Sequence, residues 1–185
     1  MMLSATGVAL FSLRYLLPKV PFPARLTNVL THREALTIHA SAASVALLVG
    51  PWQFVSVLRE RHLNLHRALG VCYAAAVLTG WLASITVALH AQTGLAASAG
   101  FLALGACWVT ATATAIWKVT HGDIAAHRRW MIRSYALTAA GITLRIYLGA
   151  ALALHLPFVV AYPVIAWACW VPNALIAEQI LRLPR

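Results

Sequence analysis

Three histidines in this chain stand where they could ligate a metal: His39, His66 and His127. Neutral imidazole is a good iron ligand. Arginine follows two of them directly, in His66-Arg67 and His127-Arg128-Arg129, with Arg133 a short way on. Farther along the same stretch is Arg145, apolar on both sides. Histidine beside guanidinium could hold haem b. His66 and His127 would be the metal ligands, and Arg67, Arg128 or Arg133 would pair with the propionates. His39 with Arg145 would make a second site, for haem or for a quinone head group.

These residues need elements to position them, and composition states which. Of 185 residues, 62% are hydrophobic and 10% charged, against about 25% charged in soluble domains. Apolar stretches of roughly 20 residues, the length that crosses a hydrocarbon core of about 30 Å, follow one another with short gaps. The chain is therefore expected to be all-α, a polytopic membrane protein. About six transmembrane helices, packed as a central helical bundle, would form a single domain over residues 1–185. A strand-built barrel would alternate apolar and polar residues instead.

The expected spans are Leu3–Leu17, Ala35–Leu58, Ala68–Leu89, Ala99–Trp117, Trp130–Leu154 and Pro157–Ile180. The first is short for a bilayer, with Arg14 snorkelling at its end and Pro18, Pro21 and Pro23 stopping it. Gly50-Pro51 predicts a kink in the second, and Pro172-Asn173 hints at a break in the sixth. Tyr15, Trp117, Trp130 and Tyr147 fit interfacial anchoring. The turn between the third and fourth spans, Gln92–Ser98, is neutral.

The net charge of +10 does not call for nucleic acid, because the basic residues lie in short loops between spans. There they orient the chain and meet anionic head groups. Arg59, Arg61, Arg67, Lys118, Arg128, Arg129, Arg133, Arg182 and Arg185 gather on one side; Arg14, Lys19, Arg25 and Arg33 on the other. The positive-inside rule then places both termini in the cytoplasm of a cell (inner) membrane. Cys72, Cys107 and Cys169 lie within spans without CxxC spacing and read as free thiols. The N-terminus lacks the basic region and cleavage site of a secretory signal and is kept as a membrane segment.

Helical geometry shows which side chains face inward. The 18 positions from His127 to Arg145 make about five whole turns, so both project from one face roughly 27 Å apart. Met131, Ser134, Thr138 and Gly141 lie between them on that face. In the third span His66, Gly70, Tyr73, Val77, Gly80 and Ser84 share a line. In the second the line is His39, Ala43, Ala46, Gly50 and Gln53. A faint parallel repeat relates the hairpin around RHLNLHR to that around THGDIAAHR. The plainer account of the small residues is close helix packing, and of His66 and His127 contact with lipid phosphate. His32, His62 and His121 read as solvated loop residues. Arg145 has no acidic partner in the first five spans, and Glu178 belongs to the far end. Its expected acceptors are backbone carbonyls, water, lipid phosphate or an anionic ligand, because a charge near mid-bilayer costs about 2.5–3.5 kcal/mol on insertion scales.

The runs IHASAASVALLVGPWQF, LHRALGVCY and AHRRWMIRSYALTAAGITLR resemble the multi-pass membrane proteins classed as domain of unknown function 2306. The resemblance covers about Thr37 to Arg145, and HRxWMxRSYALT is its most specific element. It implies a membrane protein and supplies no catalytic residues. The matching positions are His39, Gly50, Gln53, Arg59, His66, Arg67, Gly70, Tyr73, His127, Trp130, Met131, Arg133 and Arg145. The short first span departs from the fuller N-terminal helix of that pattern.

Two functions from different classes follow. One is a small b-type cytochrome, resembling two-haem membrane reductases in general plan only, with a quinone or another redox partner. The other is a non-redox lipid-interacting, transport or assembly component without cofactor. Either leaves a homo-oligomer open. With only Glu34, Glu60, Asp123 and Glu178 as acids, no carboxylate pair or nucleophile motif supports hydrolysis, and no P-loop or dinucleotide fingerprint is present.

Overall fold

A chain this apolar must satisfy its backbone within each segment, because the bilayer core offers no water to do so. Helices are the consequence, and among the described residues there is no strand. The computed structural model describes residues 2–13, 31–91 and 93–183. The expectations for Arg14, Tyr15, Pro18, Lys19, Pro21, Pro23, Arg25, Gln92 and Arg185 lie outside those residues. The helices are α1 (Met2–Leu13), α2 (Arg33–Val49), α3 (Ser56–Arg61), α4 (Leu63–Leu89) and α5 (Leu95–Thr120). They continue as α6 (Ile124–Thr138), α7 (Ala140–Ala153), α8 (Phe158–Ala168) and α9 (Val171–Arg182).

Among the described residues, five stretches are long and apolar enough to cross a membrane: Arg33–Phe54, Leu63–Leu89, Leu95–Thr120, Ile124–Ala153 and Phe158–Arg182. They correspond to the second through sixth expected spans. Of the first expected span the described residues hold α1, whose 12 residues rise about 18 Å; the rest of it lies outside them. Helix α1 lies against α2 and touches α7.

Three of the spans are interrupted, each for a local reason. At Gly50–Phe54 the second passes into a 3₁₀ turn with Pro51 in its first positions. Pro51 lacks the N–H that would reach the Leu47 carbonyl. The Tyr135 hydroxyl donates to that carbonyl instead, at 3.5 Å, and Gly50 lets the Tyr135 ring lie directly on the backbone. The fourth of the five is interrupted where α6 gives way to α7 at Ala139, whose carbonyl accepts from both Ile142 and Thr143. Asn173 reaches across from α9 and donates to the Ala136 carbonyl at 3.3 Å and to Thr143 Oγ1 at 3.0 Å. The last span breaks at Cys169–Trp170, just before the expected Pro172-Asn173.

The turn between α5 and α6 is tighter than expected, so the fifth span begins at Ile124. Gly122 takes a positive φ of 79°, a conformation open to glycine at little cost. The Gly122 amide then donates to the Val119 carbonyl and the Asp123 amide to that of Lys118, closing α5 with a Schellman motif. Asp123 caps α6, its Oδ1 accepting from the Ala126 amide at 2.9 Å. Asp123→Ala is expected to lower stability by about 1 kcal/mol, read as a lower unfolding midpoint in detergent. An unchanged midpoint would show that the cap contributes nothing.

The core sits where α2, α4, α5 and α6 meet. Ala46, Tyr73, Ala76, Val77, Trp108, Ala111, Ala115, Met131, Tyr135 and Leu137 form it. The inward lines read from helical spacing are confirmed at their centres: Ala46, Gly50 and Gln53 on the α2 side, Tyr73, Val77 and Gly80 on α4, and Met131, Ser134 and Thr138 on α6 are all buried.

Candidate functional site: a histidine pair at the basic end

At the middle of the core the inward faces are occupied by one another. The Tyr73 hydroxyl lies 2.8 Å from Ser134 Oγ and 2.7 Å from Thr138 Oγ1. From α5, Trp108 Nε1 donates to Thr138 Oγ1 at 2.8 Å, and Thr112 Oγ1 lies 2.7 Å from Ser134 Oγ. Thr138 in turn donates to the Ser134 carbonyl and Thr112 can donate to that of Trp108. Every donor in this group can therefore be matched to an acceptor. Polar groups that are buried and paired tie helices together where lipid would leave them unsatisfied. This stretch of the α6 face is a clasp, not a ligand surface.

Toward the basic end the faces carry histidine instead. His66 is on the first turn of α4 and His127 on the first turn of α6. The two are brought together: His127, Arg59 and Arg67 lie within Coulombic reach of the His66 ring. His127 Nδ1 donates to the Ala115 carbonyl of α5 at 2.8 Å. That bond fixes the tautomer with the proton on Nδ1 and leaves Nε2 as the lone-pair nitrogen, the arrangement of a metal-binding imidazole. His66 Nδ1 is buried and has no hydrogen-bond partner, a condition that costs about 1–3 kcal/mol. Gln53 Nε2, also buried, is in the same condition.

The arginines divide. Arg67 and Arg128 are exposed, at the same end as the histidine pair. Arg133 is engaged: its Nε and Nη2 donate to the two oxygens of Glu178 at 2.5 and 2.9 Å, and its guanidinium lies over the Trp130 ring, 4.6 Å from the centroid. The expected pairing of Arg133 with a propionate therefore competes with a two-pronged ion pair that joins α6 to α9.

His39 and Arg145 are likewise brought together, Arg145 lying within Coulombic reach of the His39 ring. His39 Nδ1 donates to the Gly80 carbonyl at 2.9 Å, which leaves its Nε2 as the lone pair. Arg145 Nη1 donates to the Gly141 carbonyl at 2.7 Å. Its Nη2 donates to Ser12 Oγ, a buried hydroxyl on α1. Of the acceptors expected for this charge, the structure supplies a backbone carbonyl, and it adds a hydroxyl. The short α1 thus covers a cation that would otherwise meet lipid.

Spacing alone did not reveal the Ala115 carbonyl, Trp108, Thr112, Ser12 or the Arg133–Glu178 pair. Trp108, Thr112 and Ala115 recur at helical intervals on α5, a signal for one shared face. Nothing in their identities says which helix that face meets. At the basic end two imidazoles stand on α4 and α6, one with its Nδ1–H on a carbonyl and the other with an unpartnered ring nitrogen. Among the described residues no group of three or more His, Cys, Asp or Glu could hold a metal ion.

A family model described as "Predicted membrane protein (DUF2306)" matches residues 36–181. The chain belongs to this family. The match takes in all five candidate spans nearly whole and every histidine and arginine of both sites, while α1 lies outside it. Neither curated proteins nor solved structures gave a match. Family membership therefore establishes a membrane protein, and any chemistry has to be argued from the side chains.

Proposed function

We propose that this membrane protein is a small b-type haem protein, in which His66 and His127 at its basic end would hold the iron. The observation that carries the reading is the tautomer of His127. Its Nδ1–H is committed to the Ala115 carbonyl, next to a second imidazole whose Nδ1 is buried without a partner. Arg67 and Arg128 are placed to pair with propionates, charge-assisted contacts of the kind that orient a carboxylate. Haem held there would supply one-electron transfer. The basic end would face the cytoplasm by the positive-inside rule, and a quinone is the expected electron partner, approaching the end that carries His39 and Arg145.

A visible spectrum tests this. Protein purified in detergent from haem-sufficient cells is expected to show a Soret band that shifts on dithionite reduction. His66→Ala and His127→Ala are each expected to lose it while keeping their helical circular dichroism. A colourless wild-type preparation would overturn the reading and return both histidines to contact with lipid phosphate.

A further inference from the structure

Two buried nitrogens toward the basic end lack a partner, one on Gln53 and one on His66. Gln53, 6% exposed, reaches α4 beside Gly70, where its Oε1 stands 3.4 Å from the position a Cβ would take. Gly70 is about one helical turn from His66 on the same face. The Gln53 backbone carbonyl accepts from Arg59 Nη1 at 3.3 Å, and Arg59 lies within Coulombic reach of the His66 ring. Yet Gln53 Nε2 and His66 Nδ1 both lack a partner. His127 has a fixed acceptor behind it, the Ala115 carbonyl; His66 has none. An imidazole that holds metal through Nε2 carries its proton on Nδ1 and needs an acceptor there.

We propose that Gln53 is the positioning residue for His66. Its side-chain amide turns to meet Nδ1, accepting from Nδ1–H when Nε2 holds iron and donating to Nδ1 when it does not. Glutamine suits both states because a half-turn of the terminal amide exchanges its carbonyl and amino groups. A carboxylate could only accept, and an apolar side chain could do neither. Gly70, without a side chain, leaves the amide room to turn. The inference rests on the haem reading above.

The test is a redox titration of wild type, Gln53→Glu and Gln53→Leu, with haem content measured alongside. A stronger acceptor on Nδ1–H makes the ligand more basic and favours ferric iron; losing the acceptor does the reverse. The midpoint potential is therefore expected below wild type in Gln53→Glu and above it in Gln53→Leu. General loss of packing would lower haem content in both without displacing them in opposite directions. If Gln53→Leu does not retain haem, Gln53→Met replaces it, with the same expected direction. Potentials that stay put, or move the same way in both variants, overturn the role of Gln53 and leave the haem reading standing. A colourless wild type overturns both.

Discussion

Gly50→Ala is expected to destabilise the protein more than any other single-methyl change on the inner faces. A Cβ at this position would occupy the space of the Tyr135 ring and stand 3.3 Å from Cε2 of Tyr73. Neither ring can yield easily, since Tyr73 is 1% and Tyr135 4% exposed and both belong to the core. Overpacking of this kind costs about 1–3 kcal/mol. If Tyr135 moves, its hydroxyl also leaves the Leu47 carbonyl that Pro51 cannot serve, adding about 1–3 kcal/mol for a buried group left unmatched. A combined loss of about 2–6 kcal/mol follows, measured by equilibrium unfolding in mixed micelles. Gly141→Ala is the control: its Cβ would meet Leu47 and Arg145 at 3.5 and 3.6 Å, ordinary contact distances. It should be neutral, or stabilising by up to about 1 kcal/mol through helix propensity. Equal effects at the two glycines would refute the argument.

Thr138→Val probes the hydroxyl clasp without changing shape. Valine matches threonine in size, so no cavity opens and the effect isolates the hydrogen bonds. Thr138 Oγ1 is the acceptor for Trp108 Nε1–H at 2.8 Å, with the Tyr73 hydroxyl also within reach of that N–H. The Tyr73 hydroxyl can turn to Ser134 instead. The indole N–H therefore loses its 2.8 Å acceptor and is left to the Tyr73 hydroxyl, at a cost of up to about 1–3 kcal/mol. The lower part of that range is favoured by the partners that polar groups find in a membrane-embedded unfolded state, where single bonds average about 0.6 kcal/mol. Tyr73→Phe strands no donor and should cost less. Both would be read by the same unfolding titration, and a loss in Tyr73→Phe equal to or greater than that in Thr138→Val would show that the indole N–H is not what the hydroxyl holds.

These two predictions separate what spacing can reveal from what it cannot. Glycines 50 and 141 both fall on inward lines readable from a 3.6-residue period. Only one of them has a tyrosine ring against it. Similarly, Ser134 and Thr138 are legible as a polar stripe on α6. Their partners Trp108 and Thr112 come from α5, and periodicity along one helix carries no information about its neighbour. The candidate site divides in the same way. His66 and His127 were identifiable by type and by position at span ends, but their proximity, the Ala115 carbonyl and the orphaned amide of Gln53 are not properties of any one segment.

The charges show the same boundary from the other side. Arg133 and Glu178 are 45 residues apart, and each had read as part of a charged membrane boundary. Packing of α9 on α6 turns them into an ion pair. Arg145, for which the first five expected spans offered no acid, donates to the Gly141 carbonyl and to Ser12 of α1.

By itself, the amino-acid sequence determined the solvent and the elements: a chain this apolar must be helical in a membrane, and the period of its small and polar residues determined which faces turn inward. Those properties depend on neighbours along the chain. Tertiary structure alone decided which inward faces meet, and so whether a polar residue there is a clasp, an ion pair or an unpartnered group awaiting a ligand. Satisfaction of a hydrogen bond in a bilayer depends on atoms a few ångströms away, and those belong to other helices.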